Sequence, residues 1–263
     1  MRPGCVLKSR VAVKNNEDKK PVKRLLSPFM RMAATVMLIL ALSISGWWWM
    51  NQSGHPKELA FQSFEEVSNN VLPDGSAVAL NKNSEIIYPS KFKGGVRKVK
   101  LKGEAFFDVK RDTERPFMID AGPVTITVLG TSFNVRNTGT EVEVIVETGR
   151  VKVQYGEKTI VLEAGEKTVV SSDHQELSKE EQKDQLHNYY RSRVFVCDNT
   201  PLWRLVEILK EAYDVEIVFG RDALRDLQWD ITLNNESLDA ILQLMSETFD
   251  IKVKKQDNKI ILQ

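Results

Sequence analysis

The side chains that could do chemistry are few and form no known catalytic or metal-binding motif. The three histidines, His55, His174 and His187, lie in polar segments, and none has a His or Cys neighbour at the spacing of metal ligands. We therefore predict that they are ordinary surface residues. Cys5 and Cys197 also have no second cysteine nearby, and Cys197 lies in an apolar segment typical of a small buried side chain. Because GxSxG, P-loop, GxGxxG, HExxH and CxxC motifs are missing from the sequence, we expect no enzymatic activity, cofactor or metal.

A row of carboxylates is the other possible source of chemistry. Glu141, Glu143 and Glu147 occupy odd-numbered positions of the segment EVEVIVETGRVKVQY, so a strand there places all three on one face. A glycosidase needs two carboxylates on opposite sides of a cleft, and residues on the same strand face do not have that arrangement. The polar face of a strand is normally its solvent side. We therefore predict that these glutamates are exposed to solvent.

The distribution of charge divides the chain. The whole sequence has a formal net charge of +1. Residues 1–31 carry nine Lys or Arg and only two acidic residues, whereas residues 32–50 carry no charge over 19 positions. As a helix this uncharged segment would be about 28 Å long, close to the thickness of a bilayer's hydrocarbon core. It is therefore predicted to be a single transmembrane helix.

The residues beside this segment predict its orientation. Basic residues precede it, and Lys57 is the only one in the 20 residues that follow, which places the N-terminal tail in the cytoplasm. The later residues would then lie in the periplasm, anchored to the inner membrane. A buried helix of a soluble domain and a cleaved signal peptide are the alternatives. The long basic region and the tryptophans at 47–49, directly after Gly46, favour an uncleaved anchor.

A long region of alternating strand and turn signals runs from residue 71 to residue 170. Apolar and polar residues alternate in segments such as RKVKLK (97–102) and PVTITVLG (123–130), as expected for strands with one buried and one wet face. Helical periodicity is missing throughout. The region 71–170 is therefore predicted to be an all-β domain, either a sandwich, a barrel or a short solenoid.

Polar segments flank this region on both sides. The lead-in, residues 51–70, has Phe61, Phe64 and Val67 at a spacing that fits one amphipathic turn. The connector, residues 171–193, is polar apart from four residues and is predicted to be the boundary between two domains. Those four are Leu177, Leu186, Tyr189 and Tyr190.

Residues 194–263 contain an internal repeat with an offset of 36 residues. The apolar residues of its two copies are Leu202, Val206, Leu209 and Tyr213, and then Leu238, Leu242, Met245 and Phe249. This spacing predicts one helix in each copy, and strand-like segments precede and follow both helices. Asn199 or Thr200 is predicted to cap the first helix, with Pro201 in its first turn. The region is therefore predicted to be a small α+β module of two β-α-β units.

Several short motifs resemble, in order, those of a known family. They are LPDGSAVALNKNSEIIYPSKF (72–92), GEAFFDVKRDTERPFMI (103–119), VTITVLGTSFNVR (124–136), VETGRVKV (146–153) and LEAGE (162–166). With the single N-terminal helix, they resemble the FecR-type anti-sigma factors of bacterial cell-surface signalling, in the form common among Bacteroidetes. The module at 194–263 is similar to a secretin/TonB short domain. The resemblance implies an all-β FecR-type domain, solenoid or jelly-roll-like, followed by a (β-α-β)2 module.

The resemblance also implies protein–protein signalling. In that family, the N-terminal signalling domain of a TonB-dependent outer-membrane transporter contacts the periplasmic part of the regulator. The regulator relays the signal to an extracytoplasmic-function sigma factor, which controls genes for the uptake of iron or glycans. A β-α-β module leaves sheet edges that can accept a partner strand. The candidate partner-binding residues are those of its first and last strands, Val194, Phe195, Val196, Cys197, Lys259, Ile260, Ile261 and Leu262.

The segment before the predicted span departs from the family pattern. FecR-type regulators carry a helical sigma-binding domain there, whereas residues 1–31 contain Pro3, Pro21 and Pro28 and no amphipathic repeat. A periplasmic binding or scaffold protein without sigma-factor output is therefore the alternative, and a secretin-like assembly component is a third. Nucleic-acid binding is not expected, because membrane topology and lipid contact explain the basic tail.

Overall fold

The computed structural model describes residues 28–51, 56–171, 177–256 and 259–263. The chain divides into two compact units, Met1–His55 and Pro56–Gln263. In the first unit, helix α1, Pro28–Asn51, contains the whole predicted span 32–50. No helix among the described residues combines the length and the apolar composition that crossing a membrane requires. Most of the predicted cytoplasmic tail, together with Cys5, His55 and His174, lies outside the described residues.

The second unit begins with thirteen strands that form one curved sheet, the β-domain. They are β1 Glu58–Ser63, β2 Ser68–Val71, β3 Ala77–Leu80, β4 Ser84–Pro89, β5 Arg97–Asp108, β6 Phe117–Ala121, β7 Val124–Val128, β8 Ser132–Asn137, β9 Glu141–Thr148, β10 Arg150–Tyr155, β11 Lys158–Glu163, β12 Glu166–Ser171 and β13 Glu180–Glu181. The curved sheet has two halves that share β5, which we call sheets I and II. Sheet I has the order β1-β4-β5-β6-β7-β10-β11, and sheet II has the order β2-β3-β5-β8-β9-β12-β13. The prediction of an all-β domain is confirmed.

Strand β5 belongs to both sheets and changes from one to the other at Gly103. Its first half pairs with β4 and β6, and Gly103–Asp108 pair with β8. Gly103 has a φ of +81°, and a Cβ atom there would lie 2.4 Å from Ser84 Oγ. Only glycine fits this bend, because any other residue would meet both the strained backbone and the serine.

Apolar side chains from both sheets fill the first core, which lies between them. On the first half of β5, Val99 and Leu101 are buried, whereas the lysines that alternate with them are exposed. The rings of Phe107 on β5 and Phe133 on β8 stack with their centroids 5.4 Å apart. The predicted alternation of buried and solvent-exposed residues is therefore confirmed for sheet I.

The lead-in contributes two strands rather than the predicted amphipathic turn. Strand β1 pairs with β4, and β2 pairs with β3. Phe61 lies on β1 and packs against the first core, whereas Phe64 is 69 % exposed in the following loop. Their helical spacing was misleading, because pairing with the strands of the domain satisfies this backbone more completely than a single turn would.

The connector after the β-domain contains a short 3₁₀ helix, Leu186–Asn188, and one helical turn, α2, Tyr189–Ser192. The module then consists of β14 Val194–Pro201, α3 Leu202–Tyr213, β15 Glu216–Phe219, the 3₁₀ turn Asp222–Leu224, β16 Gln228–Asn234, α4 Leu238–Phe249, β17 Val253–Gln256 and β18 Lys259–Leu262. Strands β14 and β16 form a two-stranded antiparallel sheet. Strand β18 lies between β15, to which it is parallel, and β17, to which it is antiparallel.

The 36-residue repeat is visible in the backbone as well as in the element bounds. Helices α3 and α4 each have 12 residues and begin 36 positions apart. Left-handed backbone recurs at the same offset, with φ of 45° at Asn199 and 51° at Asn235, and 53° at both Asp214 and Asp250. The two aspartates end the two helices. The predicted repeat of two β-α-β units is confirmed.

The predicted cap of α3 is wrong. Pro201 holds the cap position, and no side chain accepts a hydrogen bond from the first turn. The amides of Leu202 and Trp203 instead donate to the carbonyl oxygens of Leu227 and Arg225. A neighbouring loop therefore satisfies the amides that a side-chain cap would satisfy.

Candidate protein-interaction site

The module and the connector pack against the outer face of sheet II. The second core contains module side chains together with Leu186, Tyr189 and Tyr190 of the connector and Ala79 of β3, and Phe106 of β5 packs against it. Three of the four apolar residues of the connector therefore belong to the contact between the domains, and the fourth, Leu177, packs against the first core. We call the contact of sheet II with the connector and the module the interdomain interface.

The glutamates of β9 show how charged this interface is. Glu143 is 8 % exposed, and its Oε1 lies 3.4 Å from Nη1 of Arg204 on α3. The Nε of Arg204 also donates to Oδ2 of Asp184 at 2.7 Å. Because α3 covers this face of the strand, the prediction of a solvated row is wrong for Glu143, and of the three glutamates only Glu141 at the strand end is exposed.

Glu147 at the other end of β9 binds the connector. The guanidinium of Arg191 donates to its carboxylate and lies over the ring of Phe106, 3.4 Å from the centroid. Burial favours a higher pKa for Glu147, but His187 and Arg191 outweigh burial and lower this pKa. His187 is itself only 6 % exposed, so its prediction as a surface residue is wrong. The connector folds back onto sheet II, and this contact buries His187.

Glu104 on β5 lies beneath the two tyrosines of the connector. Its two carboxylate oxygens each accept a hydrogen bond of 2.8 Å, one from Asn81 Nδ2 and one from Asn134 Nδ2. Tyr190 donates from its hydroxyl to Asn134 Oδ1 at 2.8 Å, and the hydroxyl of Tyr189 lies 3.4 Å from Asn81 Nδ2. Burial raises the pKa of Glu104 above its ordinary 4.5, although both amides act to lower it. A buried carboxylate thus orients the two amides that meet the tyrosines.

Two of the cavities along the interdomain interface are lined by contacts between the domains. The first, of about 510 Å³, is lined in part by Tyr189, Phe195 and Tyr213, whose rings stack in a row with centroids 5.7 and 6.2 Å apart. The second, of about 850 Å³, is lined in part by the ion pair of Arg136 on β8 with Glu211 on α3. Among the described residues, no group of three or more His, Cys, Asp or Glu side chains is arranged to hold a metal ion.

The two predicted partner strands occupy different positions in the sheets of the module. Residues 259–262 form β18, which has β15 on one side and β17 on the other. The prediction that Lys259, Ile260, Ile261 and Leu262 form a sheet edge is therefore wrong, because a third strand cannot add to a strand already paired on both sides. Strand β14 pairs with β16 and with no other strand of the described residues, so it is an edge strand.

The direction of the free edge of β14 follows from one hydrogen bond. The amide of Asn235 donates to the carbonyl oxygen of Arg193, its direct partner in the extended register of β14 and β16. In an antiparallel pair such bonded positions alternate with positions whose amides and carbonyls point away. The backbone groups of Val194 and Val196 therefore point to the outer edge, away from β16.

The connector occupies part of that outer edge. The amide of Val194 donates to Ser192 Oγ at 3.2 Å, and the carbonyl oxygen of Val196 accepts from the amide of Gln185 at 2.9 Å. A cavity of about 420 Å³ opens beside these groups. The edge is thus accessible only in part while the connector keeps this position.

The other two residues of the predicted strand face the second core. Phe195 and Cys197 are 3 % and 5 % exposed. Burial raises the pKa of Cys197 to about 12, with the nearby carboxylate of Asp184 as the next cause. Cys197 is a small buried side chain, as predicted from its apolar segment.

Sequence reasoning missed most of the interdomain interface. Asn81, Asn134 and Arg136 belong to no motif. Asn134 and Arg136 lie on β8, whose polar face was expected to be wet, and Asn81 directly follows β3. The only signal was the pair Tyr189–Tyr190 in an otherwise polar connector. Two adjacent large aromatic residues with polar tips are typical of an interface where each ring is buried and each hydroxyl finds a partner.

Two sequence families match the chain. Residues 65–152 match the family described as FecR protein, and residues 194–262 match the family described as FecR, C-terminal. The first match covers most of the β-domain, and the second covers the module from β14 to its last strand. Together they span more than half of the chain. No curated protein sequence matches it.

Solved structures resemble the chain over both domains. Two crystal structures, at 2.50 and 1.65 Å resolution, are of a protein from Parabacteroides distasonis ATCC 8503 that is provisionally assigned as an anti-sigma factor. Each is 29 % identical to this chain with a TM-score of 0.66. The match covers 78 % of this chain and 98 % of the relative's chain in the first structure, and 79 % and 98 % in the second.

Proposed function

We infer that this chain is a FecR-type protein, and from that premise we propose that it is an anti-sigma regulator that relays a signal by protein–protein contact. The observation that carries the proposal is the occurrence of both FecR sequence families, in order, in one compact unit. The likeness to a solved relative assigned as an anti-sigma factor supports the same role. The proposal assigns no catalytic residue to the chain.

We propose that α1 anchors the chain in the inner membrane, with the β-domain and the module in the periplasm. The uncharged segment 32–50 and the excess of basic residues before it support this arrangement. The hydroxyl groups of Thr35, Ser43 and Ser45 also donate to backbone carbonyls of their own helix. A helix that satisfies its own polar side chains in this way is suited to a hydrocarbon environment.

We propose that the outer edge of β14 receives the signal from the N-terminal signalling domain of a TonB-dependent outer-membrane transporter. An extended partner segment can add to an edge strand through backbone hydrogen bonds. Val194 and Val196 supply the outward-pointing groups, whereas the other predicted partner strand, 259–262, is paired on both sides. The output partner is an extracytoplasmic-function sigma factor on the cytoplasmic side.

The experiment that tests this function is cross-linking of the tagged full chain in native membranes, followed by capture and mass spectrometry. We expect a sigma factor and a TonB-dependent transporter to be captured together. Capture of the transporter without a sigma factor would favour a periplasmic binding or scaffold protein. Capture of neither would contradict the relay.

Two matched proline variants test the receiving edge. Val196 and Thr232 lie directly opposite each other, and the outward groups of both point away from the β14–β16 pair, to opposite edges. Val196→Pro removes an outward amide of β14, and Thr232→Pro removes the equivalent amide of β16. We expect Val196→Pro to abolish capture of the transporter and Thr232→Pro to retain it. The reverse result would assign the contact to β16 and contradict the assignment to β14.

A further inference from the structure

One segment of the connector contacts both domains with consecutive residues. We call residues 184–192 the strap. It follows β13, which still pairs with β12 of sheet II, and it leads directly into β14 of the module. A segment in this position cannot move without changing the contact of one domain with the other.

Toward sheet II the strap is held by its two tyrosines. The hydroxyl of Tyr190 donates to Asn134 Oδ1 at 2.8 Å, and Tyr189 lies against Asn81. Burial raises the pKa of Tyr189 to about 12 and raises the pKa of Tyr190 well above its ordinary value. Both hydroxyls therefore stay protonated at neutral pH, and Tyr190 remains a hydrogen-bond donor.

Toward the module the strap covers backbone groups that a strand would use. The amide of Gln185 donates to the carbonyl oxygen of Val196, and Ser192 Oγ accepts from the amide of Val194. These two positions are the outward-pointing ones of residues 194–197. An incoming strand needs the same groups, so it competes with the strap for them.

We propose that the strap is an autoinhibitory element that closes the outer edge of β14 and that Tyr189 and Tyr190 hold it closed. A strand can add to β14 only after the strap has left Val194 and Val196. Since the tyrosines belong to the same segment, this movement also withdraws them from sheet II and loosens the module from the β-domain. Binding at the edge and attachment of the module thus exclude each other. The proposal rests on the proposed function only for the identity of the incoming strand.

The closed strap keeps buried polar atoms without hydrogen bonds. Among the described residues, both ring nitrogens of His187 and the Nε of Arg191 have no hydrogen-bond partner, although His187 Nε2 lies 3.4 Å from the Glu147 carboxylate. Unsatisfied buried groups cost free energy, which is recovered when water reaches them. This cost favours opening and offsets part of the contacts that hold the strap closed, which include the tyrosines and the ion pair of Arg191 with Glu147.

Hydrogen–deuterium exchange of the full chain in detergent micelles tests this inference. The strap's state is reported by the amides of Gln185 and Val194, which are protected only while it is closed. We expect Tyr190→Phe to raise their exchange rates about tenfold, the effect of losing one buried hydrogen bond. Asn134→Ala removes the same bond from the other side together with the hydrogen bond from Asn134 Nδ2 to Glu104, so it should raise these exchange rates at least as much.

Tyr88→Phe is the matched control. The hydroxyl of Tyr88 also meets an asparagine, accepting from Asn70 Nδ2 at 2.8 Å, but within the β-domain and away from the strap. We expect it to leave Gln185 and Val194 unchanged. Unchanged exchange in both Tyr190→Phe and Asn134→Ala would overturn the proposal, and so would an equal rise throughout both domains, which would show general destabilisation. The readout needs no partner, so its failure is distinct from failure of the proposed relay.

Discussion

The outer faces of sheets I and II have similar alternating sequences but different surroundings. On sheet I, Lys98 pairs with Asp120 at 3.5 Å, and their side chains are 56 % and 34 % exposed. On sheet II, Glu143 pairs with Arg204 at nearly the same distance, and their side chains are only 10 % and 16 % exposed. Alternation therefore identifies the face of a strand that meets the core, but it does not tell whether the other face meets water or another domain.

This difference in exposure decides how much each ion pair contributes to the free energy of unfolding. An exposed pair contributes between zero and about 1 kcal/mol, because solvent screens the charges and ordering the side chains costs entropy. Removing one partner of a buried pair leaves a charge without compensation and costs about 3–5 kcal/mol. The comparison of the two sheets thus becomes a comparison of two substitutions.

Arg204→Ala should have the largest effect. It leaves the carboxylates of Glu143 and Asp184 at the interdomain interface without their shared cation. Since neither group is completely buried, we expect a loss near the lower limit of that range, about 3 kcal/mol of the free energy of unfolding. Denaturant unfolding of the full chain measures this loss.

Lys98→Ala on sheet I is the matched control for that measurement. It also removes a cation from an ion pair, but the pair is exposed, so we expect a change within about 0.5 kcal/mol. Equal losses in the two variants would mean that the module does not shield the outer face of sheet II. The contrast between the two sheets would then be wrong.

The module could be predicted from the sequence in some detail because its signal is local and repeated. Leu202 and Leu238 begin helices of equal length, as the offset of 36 residues indicates. Asn199 and Asn235 share the same unusual backbone. Where the repeat is broken the prediction failed: Ser237 caps α4, whereas Pro201 occupies the same position before α3.

The interdomain interface could not be predicted, because its determinants lie far apart in the sequence. Asn81, Glu104 and Asn134 meet only after three strands of sheet II are in register. Each of them separately looks like a solvent-facing polar residue of a strand. His187 was misassigned for a related reason, since its polar neighbours do not reveal that the connector folds back over β9.

The smallest effect that separates the two faces is the pH dependence of stability. On sheet II, burial raises the pKa of Glu104 above its ordinary 4.5. The folded chain then takes up this proton more readily than the unfolded chain, so the contribution of Glu104 to stability is present below about pH 4.5 and is lost as the pH rises through its folded pKa. On sheet I, hydrogen bonds from Gln62 and Lys102 lower the pKa of Glu85. The contribution of Glu85 to stability therefore has the opposite sign. It is present above the ordinary pKa of 4.5 and is lost as the pH falls below it.

Two conservative variants separate these opposite slopes. Glu104→Gln should remove the part of the unfolding free energy that declines as the pH rises above about 4.5. Glu85→Gln should remove the part that declines as the pH falls below about 4.5. Denaturant midpoints between about pH 3 and pH 7 measure both slopes. If Glu104→Gln kept the decline of the unchanged chain, the carboxylate would not be shielded from water, and sheet II would differ from sheet I in packing alone. If only Glu104→Gln changed the pH dependence, the charge state of the covered face alone would be coupled to folding. Half-buried carboxylates such as Glu85 would then exchange their protein partners for water at little cost.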